Sequence, residues 1–339
     1  MFSVAMRNAV EKFPTSSKHR RGVSFQTSVD GRSRQVNRTN SNSWMINIVR
    51  TVRFKNDALK DHGFWYLQST DWGKSFPESN GFSQSPINLV SKSAVYDPKL
   101  KDNLLTISYM SSRETDILNN GQTVVIYPKC RSELSVRQEQ TAKSVITGGP
   151  LDEYDYELAE IIFHWGRCNS RGSEHTVNGK SFPMEIQFIH WNSSLYQNKE
   201  DATGKENGIV AICLFVQLGR ENPAFRALLA EALDDIVFKG RQKTTYVPFN
   251  PASLLPDPDL LGDYWVYDGS LTYPPCSENV KWIILRYPLL LSNDQAMDFR
   301  RLNTYSQDAN VKNVYVGKLV DNFRPVQPLN DRQIRASFQ

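Results

Sequence analysis

Residues 158–165 read "LAEIIFHW" and residues 184–191 read "MEIQFIHW". Both are short, rich in β-branched and aromatic residues, and end in His-Trp, which predicts two strands. Side chains in a strand alternate between faces. In the first, Glu160, Ile162 and His164 then share one face, while Ile161, Phe163 and Trp165 share the other. In the second, Glu185, Gln187, Ile189 and Trp191 face one way and Ile186, Phe188 and His190 the other. A single histidine near a strand end is most simply a core residue. A metal-building strand would carry a second donor two residues away, where this one has Ile162.

The texture around these strands extends over most of the chain. From His62 onward, short β-prone runs alternate with turn signals such as "NNGQ" (119–122), "GGP" (148–150) and "VNGK" (177–180). Helical signals are few. The clearest is "PAFRALLAEALDDIVFKG" (223–240), with apolar residues at helical spacing and Gly240 as the expected stop. Many strands and few helices predict a mainly β domain with peripheral helices, of the α+β class, over 61–339. No repeat and no phosphate-cradling glycine motif interrupts it.

Charge separates the two ends. Residues 1–60 hold twelve Lys and Arg against three acids, a net +9, so the rest of the chain carries −5 although the whole is +4. The basic character belongs to an N-terminal extension, expected to be disordered, with a mitochondrial transit peptide as the alternative. An acidic body does not suit nucleic acid. No apolar run approaches the roughly 18–20 residues of a membrane span. The four cysteines, Cys130, Cys168, Cys213 and Cys276, form no CxxC pair. Free thiols in a reducing compartment are expected, with Cys213 a small buried residue in "IVAICLFVQL". The sequon at Asn192 is expected to go unused.

A further segment, "DYWVYDGSLTYPPCSENVKW" (263–282), places a rigid Pro-Pro turn after Thr272. Taken with "QSPINL" (84–89), "ILNNG" (117–121), "GGPL" (148–151), "FHWGR" (163–167), "GSEHTV" (172–177), "IHWN" (189–192) and "DNFRPVQPLNDRQIRASF" (321–338), it resembles the α-carbonic anhydrase family. The resemblance runs from about Trp72 to Gln339 and is nearest to the carbonic anhydrase-related branch, type VIII. It implies a large, twisted, mostly antiparallel sheet.

Active members hold zinc through three histidines, leaving a fourth position for water whose pKa the metal lowers to about 7. The resemblance places those ligands at Ile162, His164 and Gln187, so only His164 is retained. It places the hydroxide-orienting threonine at Thr272 and its glutamate partner at Glu174. The carboxylate that orients the third ligand falls at Glu185, and the proton-shuttle histidine at Gln122. Leu271, Ile189, Ile209 and Trp282 match the apolar wall, expected here to be core. Thr272 and Glu174 are expected to satisfy each other. No cysteine precedes "QSPINL", so the disulfide that secreted members make from the position of Cys276 cannot form. Zinc and carbonic anhydrase activity are therefore expected to be lost. What remains is a cytoplasmic protein-binding module, and the type-VIII resemblance implies calcium signalling through the inositol trisphosphate-gated calcium channel as partner. The alternative is a zinc-dependent hydratase using non-standard ligands among His19, His62, His175 and His190.

Overall fold

Strand 156–165 lies inside the main sheet, and both its faces are apolar enough to be covered. A computed structural model describes residues 72–129, 143–310 and 317–339. The strands of its main sheet that matter here are β1 (Val95–Tyr96), β2 (Glu114–Asn119), β3 (Val124–Lys129), β4 (Tyr156–Trp165), β5 (Met184–Asn192), β6 (Ile209–Leu218), β7 (Gln242–Thr245), β8 (Tyr264–Gly269), β9 (Val280–Leu285) and β10 (Arg335–Ala336). Their spatial order is β7-β2-β3-β4-β5-β6-β9-β8-β10-β1, within a sheet of 13 strands among the described residues. The pairings around β4 and β5 are antiparallel, whereas β6 pairs β9, and β10 pairs β1, in parallel. The expected mainly β, mostly antiparallel sheet is what the chain forms.

Two apolar layers cover the sheet. On one face Ile161, Phe163 and Trp165 of β4 and Ile186 and Phe188 of β5 pack against Phe225, Leu228, Leu229 and Phe299 from two helices. The other face carries Val125, Ile162, Ile189, Ala211, Cys213, Trp265, Tyr267 and Trp282. The alternation predicted for both strands holds. It holds in β4 because Glu160, Ile162 and His164 all lie on one side of an irregularity: the register steps between Leu158 and Glu160, leaving Ala159 as a bulge.

The helices are α1 (Pro223–Asp235) and α2 (Asn293–Phe299). Asn222 caps α1, its side chain accepting from the Phe225 N–H, and Pro223 occupies the first turn where no donor is needed. α2 begins with a capping box between Ser292 and Gln295. The helix expected to run to Gly240 ends at Asp235 instead. The Asn119 amide from β2 takes the carbonyl of Ile236, and Gly240 donates back to the Asn119 carbonyl, so tertiary bonds replace the last turn. No helix among the described residues is long and apolar enough to cross a membrane. The N-terminal extension, Cys130, His19 and His62 lie outside the described residues.

Candidate functional site

The site lies on the face of β4 and β5 away from the helices. Ile162 stands directly opposite Gln187 across the ladder, and His164 opposite Glu185. The structure thus brings Ile162, His164, Gln187, Glu185, Glu174 and Thr272 together, all buried. Gln122 lies in the half-buried turn after β2. Its backbone carbonyl accepts from Asn322.

Gln187 organises the polar groups. Its amide nitrogen donates to Glu174 Oε2 at 2.8 Å and to Glu185 Oε1 at 2.9 Å, so one NH2 bridges two buried carboxyls. Glu174 Oε1 also accepts from the Arg324 backbone N–H at 2.8 Å. His164 Nδ1 lies 2.7 Å from the Asn322 carbonyl, and its Nε2 lies 3.5 Å from Glu174 Oε2. Thr272 lies beside Glu174, as expected, and its hydroxyl favours the ionised carboxyl, although it falls short of full hydrogen-bond geometry.

The two carboxyls are driven apart electrostatically. Burial raises the Glu174 pKa, with His164 opposing and the neighbouring Glu185 charge adding to it. Burial also pushes Glu185 upward, but the His175 ring beside it outweighs that and holds it low, at about 2. His175 meets Glu185 twice, through its backbone N–H at 2.8 Å and Nδ1 at 2.9 Å.

The two spare histidines among the described residues, His175 and His190, face other groups. His175 Nε2 lies 2.6 Å from the Tyr267 hydroxyl. His190 points to the opposite face, 2.8 Å from the Tyr109 hydroxyl, and burial holds its pKa down at about 3. The four apolar-wall positions, Leu271, Ile189, Ile209 and Trp282, join the same cluster as Ile162.

Two residues before Ile162, on the same face of β4, stands Glu160. It is 7% exposed and ion-paired with Lys199, 24% exposed, from the short turn Lys199–Ala202. Tyr273 donates to Glu160 at 3.3 Å and Tyr127 lies against it. Burial works against the Lys199 ammonium, and the Glu160 charge more than offsets it, raising the lysine pKa.

Sequence reasoning assigned no role to Asn322, Arg324, Tyr267, Ser85 or Lys199. The first four lie inside segments already singled out. Their tasks depend on contacts of high sequence separation, such as Trp165 N–H to Asn322 Oδ1 at 2.7 Å, which no spacing reveals.

A match to the model of the eukaryotic-type carbonic anhydrases spans residues 67–338. The chain belongs to the carbonic anhydrase family. It is 52% identical to the human carbonic anhydrase-related protein over 266 residues, 78% of this chain and 86% of that one. The rat carbonic anhydrase-related protein shows the same identity and coverage. Human carbonic anhydrase 7 is 40% identical over 281 residues, 82% of this chain and 98% of that one. Against this family's three-histidine zinc site, the residues present do not fit. Ile162 has no donor atom, and Gln187 turns its NH2 toward the two carboxyls, leaving His164 as one imidazole where a tetrahedral site needs three protein ligands.

Asn192, the sequon asparagine, is buried and donates to the Asn207 carbonyl, which withdraws its amide from modification. Cys168 is exposed, while Cys213 and Cys276 are buried, and all three are free.

Proposed function

We infer that this carbonic anhydrase-family chain does not hydrate carbon dioxide and instead serves as a cytoplasmic binding or regulatory module. The observation that carries this reading is Gln187, whose amide spans Glu174 and Glu185 directly across from Ile162. The positions that would bind metal are used instead to close the interior. Buried Ile162 contributes about 1.5–3 kcal/mol of apolar burial. With no metal to acidify a water, the family's nucleophile has no source, and Gln122 at the shuttle position does not exchange protons near neutral pH. The similarity to proteins named carbonic anhydrase-related supports the same reading.

The partner that the type-VIII resemblance points to is the inositol trisphosphate-gated calcium channel. Stopped-flow hydration with zinc supplied tests the first half of the proposal: turnover well above the uncatalysed rate overturns it. Titrating the purified chain into the ligand-binding region of that channel tests the second half. Saturable binding is expected, and its absence removes this partner while leaving the acatalytic reading intact.

A further inference from the structure

Across the β5–β6 ladder from Gln187, a second group of donors converges. His175 Nδ1, one Glu185 carboxylate oxygen and Cys213 Sγ all lie within 4.8 Å of one another, and all three side chains are buried. They arrive from three places: the segment before β5, β5 itself and β6. Cys213 stands directly across the β5–β6 ladder from Gln187, which puts its sulfur on the polar face of β5.

We propose that His175, Glu185 and Cys213 form a buried structural site for a zinc-class divalent ion, distinct from the positions of the family's catalytic metal. Thiolate, imidazole and carboxylate are the zinc donor types. Bond lengths of about 2.0 Å to nitrogen or oxygen and 2.3 Å to sulfur place tetrahedral N and O ligands about 3.3 Å apart, and N and S about 3.6 Å apart. Here Nδ1 to Oε1 is 2.9 Å and Nδ1 to Sγ is 3.9 Å. These two separations differ from the tetrahedral ones by a few tenths of an ångström, and the sulfur and carboxylate oxygen lie within 4.8 Å.

The surroundings suit this role. Tyr267 donates its hydroxyl proton to Ser85 Oγ at 2.8 Å, so its oxygen can accept from His175 Nε2–H. A metal-binding histidine commonly donates its other N–H in this way. Nδ1 is then the nitrogen turned to Glu185 and Cys213. The Gln187 amide oxygen, two residues from Glu185 on the same strand face, is buried and makes no hydrogen bond. Charge also balances: one divalent cation with one carboxylate and one thiolate is neutral, which a site without solvent requires. Burial, then the Glu185 charge, keeps the empty-site thiol protonated. Loading therefore releases the Cys213 thiol proton, and the proton between Nδ1 and Glu185, to solvent as the cation enters.

The site is closed, so the ion must enter as the chain folds. The test is to produce the full chain in cobalt-supplemented medium and dialyse it against chelator. One cobalt per chain is expected, with thiolate-to-cobalt charge-transfer absorbance. Both should vanish in Cys213→Ala and persist in Cys168→Ser, which removes the exposed thiol. Cobalt X-ray absorption on the unaltered chain needs no variant to fold, and one sulfur in the first shell is expected. An all-nitrogen-and-oxygen shell, no retained cobalt, or full retention in Cys213→Ala overturns the proposal. His164→Ala separates the two readings. Retention there leaves both standing; metal lost there but kept in Cys213→Ala overturns both; no metal in any form overturns this one alone.

Discussion

Ile162 faces Gln187 across the β4–β5 ladder as a direct cross-strand pair. The two positions where the resemblance places zinc ligands are thus neighbours. One is apolar and joins the core, and the other is an amide that donates to Glu174 and Glu185.

That adjacency makes the site restorable. Glu185 Oε1 already lies 2.9 Å from the Gln187 side-chain nitrogen, where it can orient a histidine at that position. The double substitution Ile162→His with Gln187→His is expected to add one zinc per chain beyond the parent's content. Each single substitution should bind at least about 10–100-fold more weakly, since losing even an orienting partner costs that much. Competition against a chromophoric chelator measures this. A double variant with no more zinc than the parent would show that the strand geometry has drifted from the family's.

Removing the amide without adding a ligand should be costly. In Gln187→Leu, Glu174 loses the amide donor and keeps the Arg324 N–H, and Glu185 keeps only its two contacts to His175. Hydrogen bonds to charged groups contribute about 1.5–3 kcal/mol each. A loss of roughly 2–4 kcal/mol in urea unfolding at pH 7 is expected on that scale. A change below about 1 kcal/mol would mean that the carboxyls find other partners.

The strand faces were readable because the period of two is fixed by backbone geometry. Ile162, His164 and Gln187 fell together, and His190 fell away from them, as the alternation required. The bulge at Ala159 left no mark in the sequence; had it fallen between Glu160 and His164, the same reading would have been wrong. The end of α1 was missed because apolar spacing continues through Ile236 and Val237, while the terminating Asn119 lies more than a hundred residues earlier. Cys213 reads as one more apolar residue in "IVAICLFVQL". Only the register against β5 shows that its sulfur meets Glu185 and His175.

Acid should weaken the fold through His190. Its folded-state pKa is about 3 against an ordinary 6.5, so the unfolded chain protonates first as pH falls. Stability from keeping this ring neutral is complete above about pH 6.5 and is lost progressively down to about 3. Glu185, held at about 2, adds a loss of the same sign below about 4.5, whereas the raised pKa of Glu174 acts in the opposite direction. Between pH 6.5 and 4 the His190 contribution is on the order of 3 kcal/mol. Urea titrations across that window should show a flatter profile for His190→Gln, which keeps a polar group facing Tyr109. Equal slopes in variant and parent would assign the acid sensitivity elsewhere.

Restored ligands alone should leave hydration slow, because Glu160 and its partners also crowd the strand face beside position 162. Glu160 receives Lys199 and Tyr273, with Tyr127 against it, and lies two residues along the strand from Ile162 on the same face. Adding Lys199→Ala and Tyr273→Ala to the Ile162→His, Gln187→His chain removes an ion-pair partner and a ring. Hydration per bound zinc is expected to rise roughly tenfold, equivalent to about 1.4 kcal/mol off the barrier. Stopped-flow rates normalised to zinc content read this directly. Equal rates with and without the two alanines would place the remaining block at the proton-shuttle position, where Gln122 stands, and the next substitution to make would be Gln122→His.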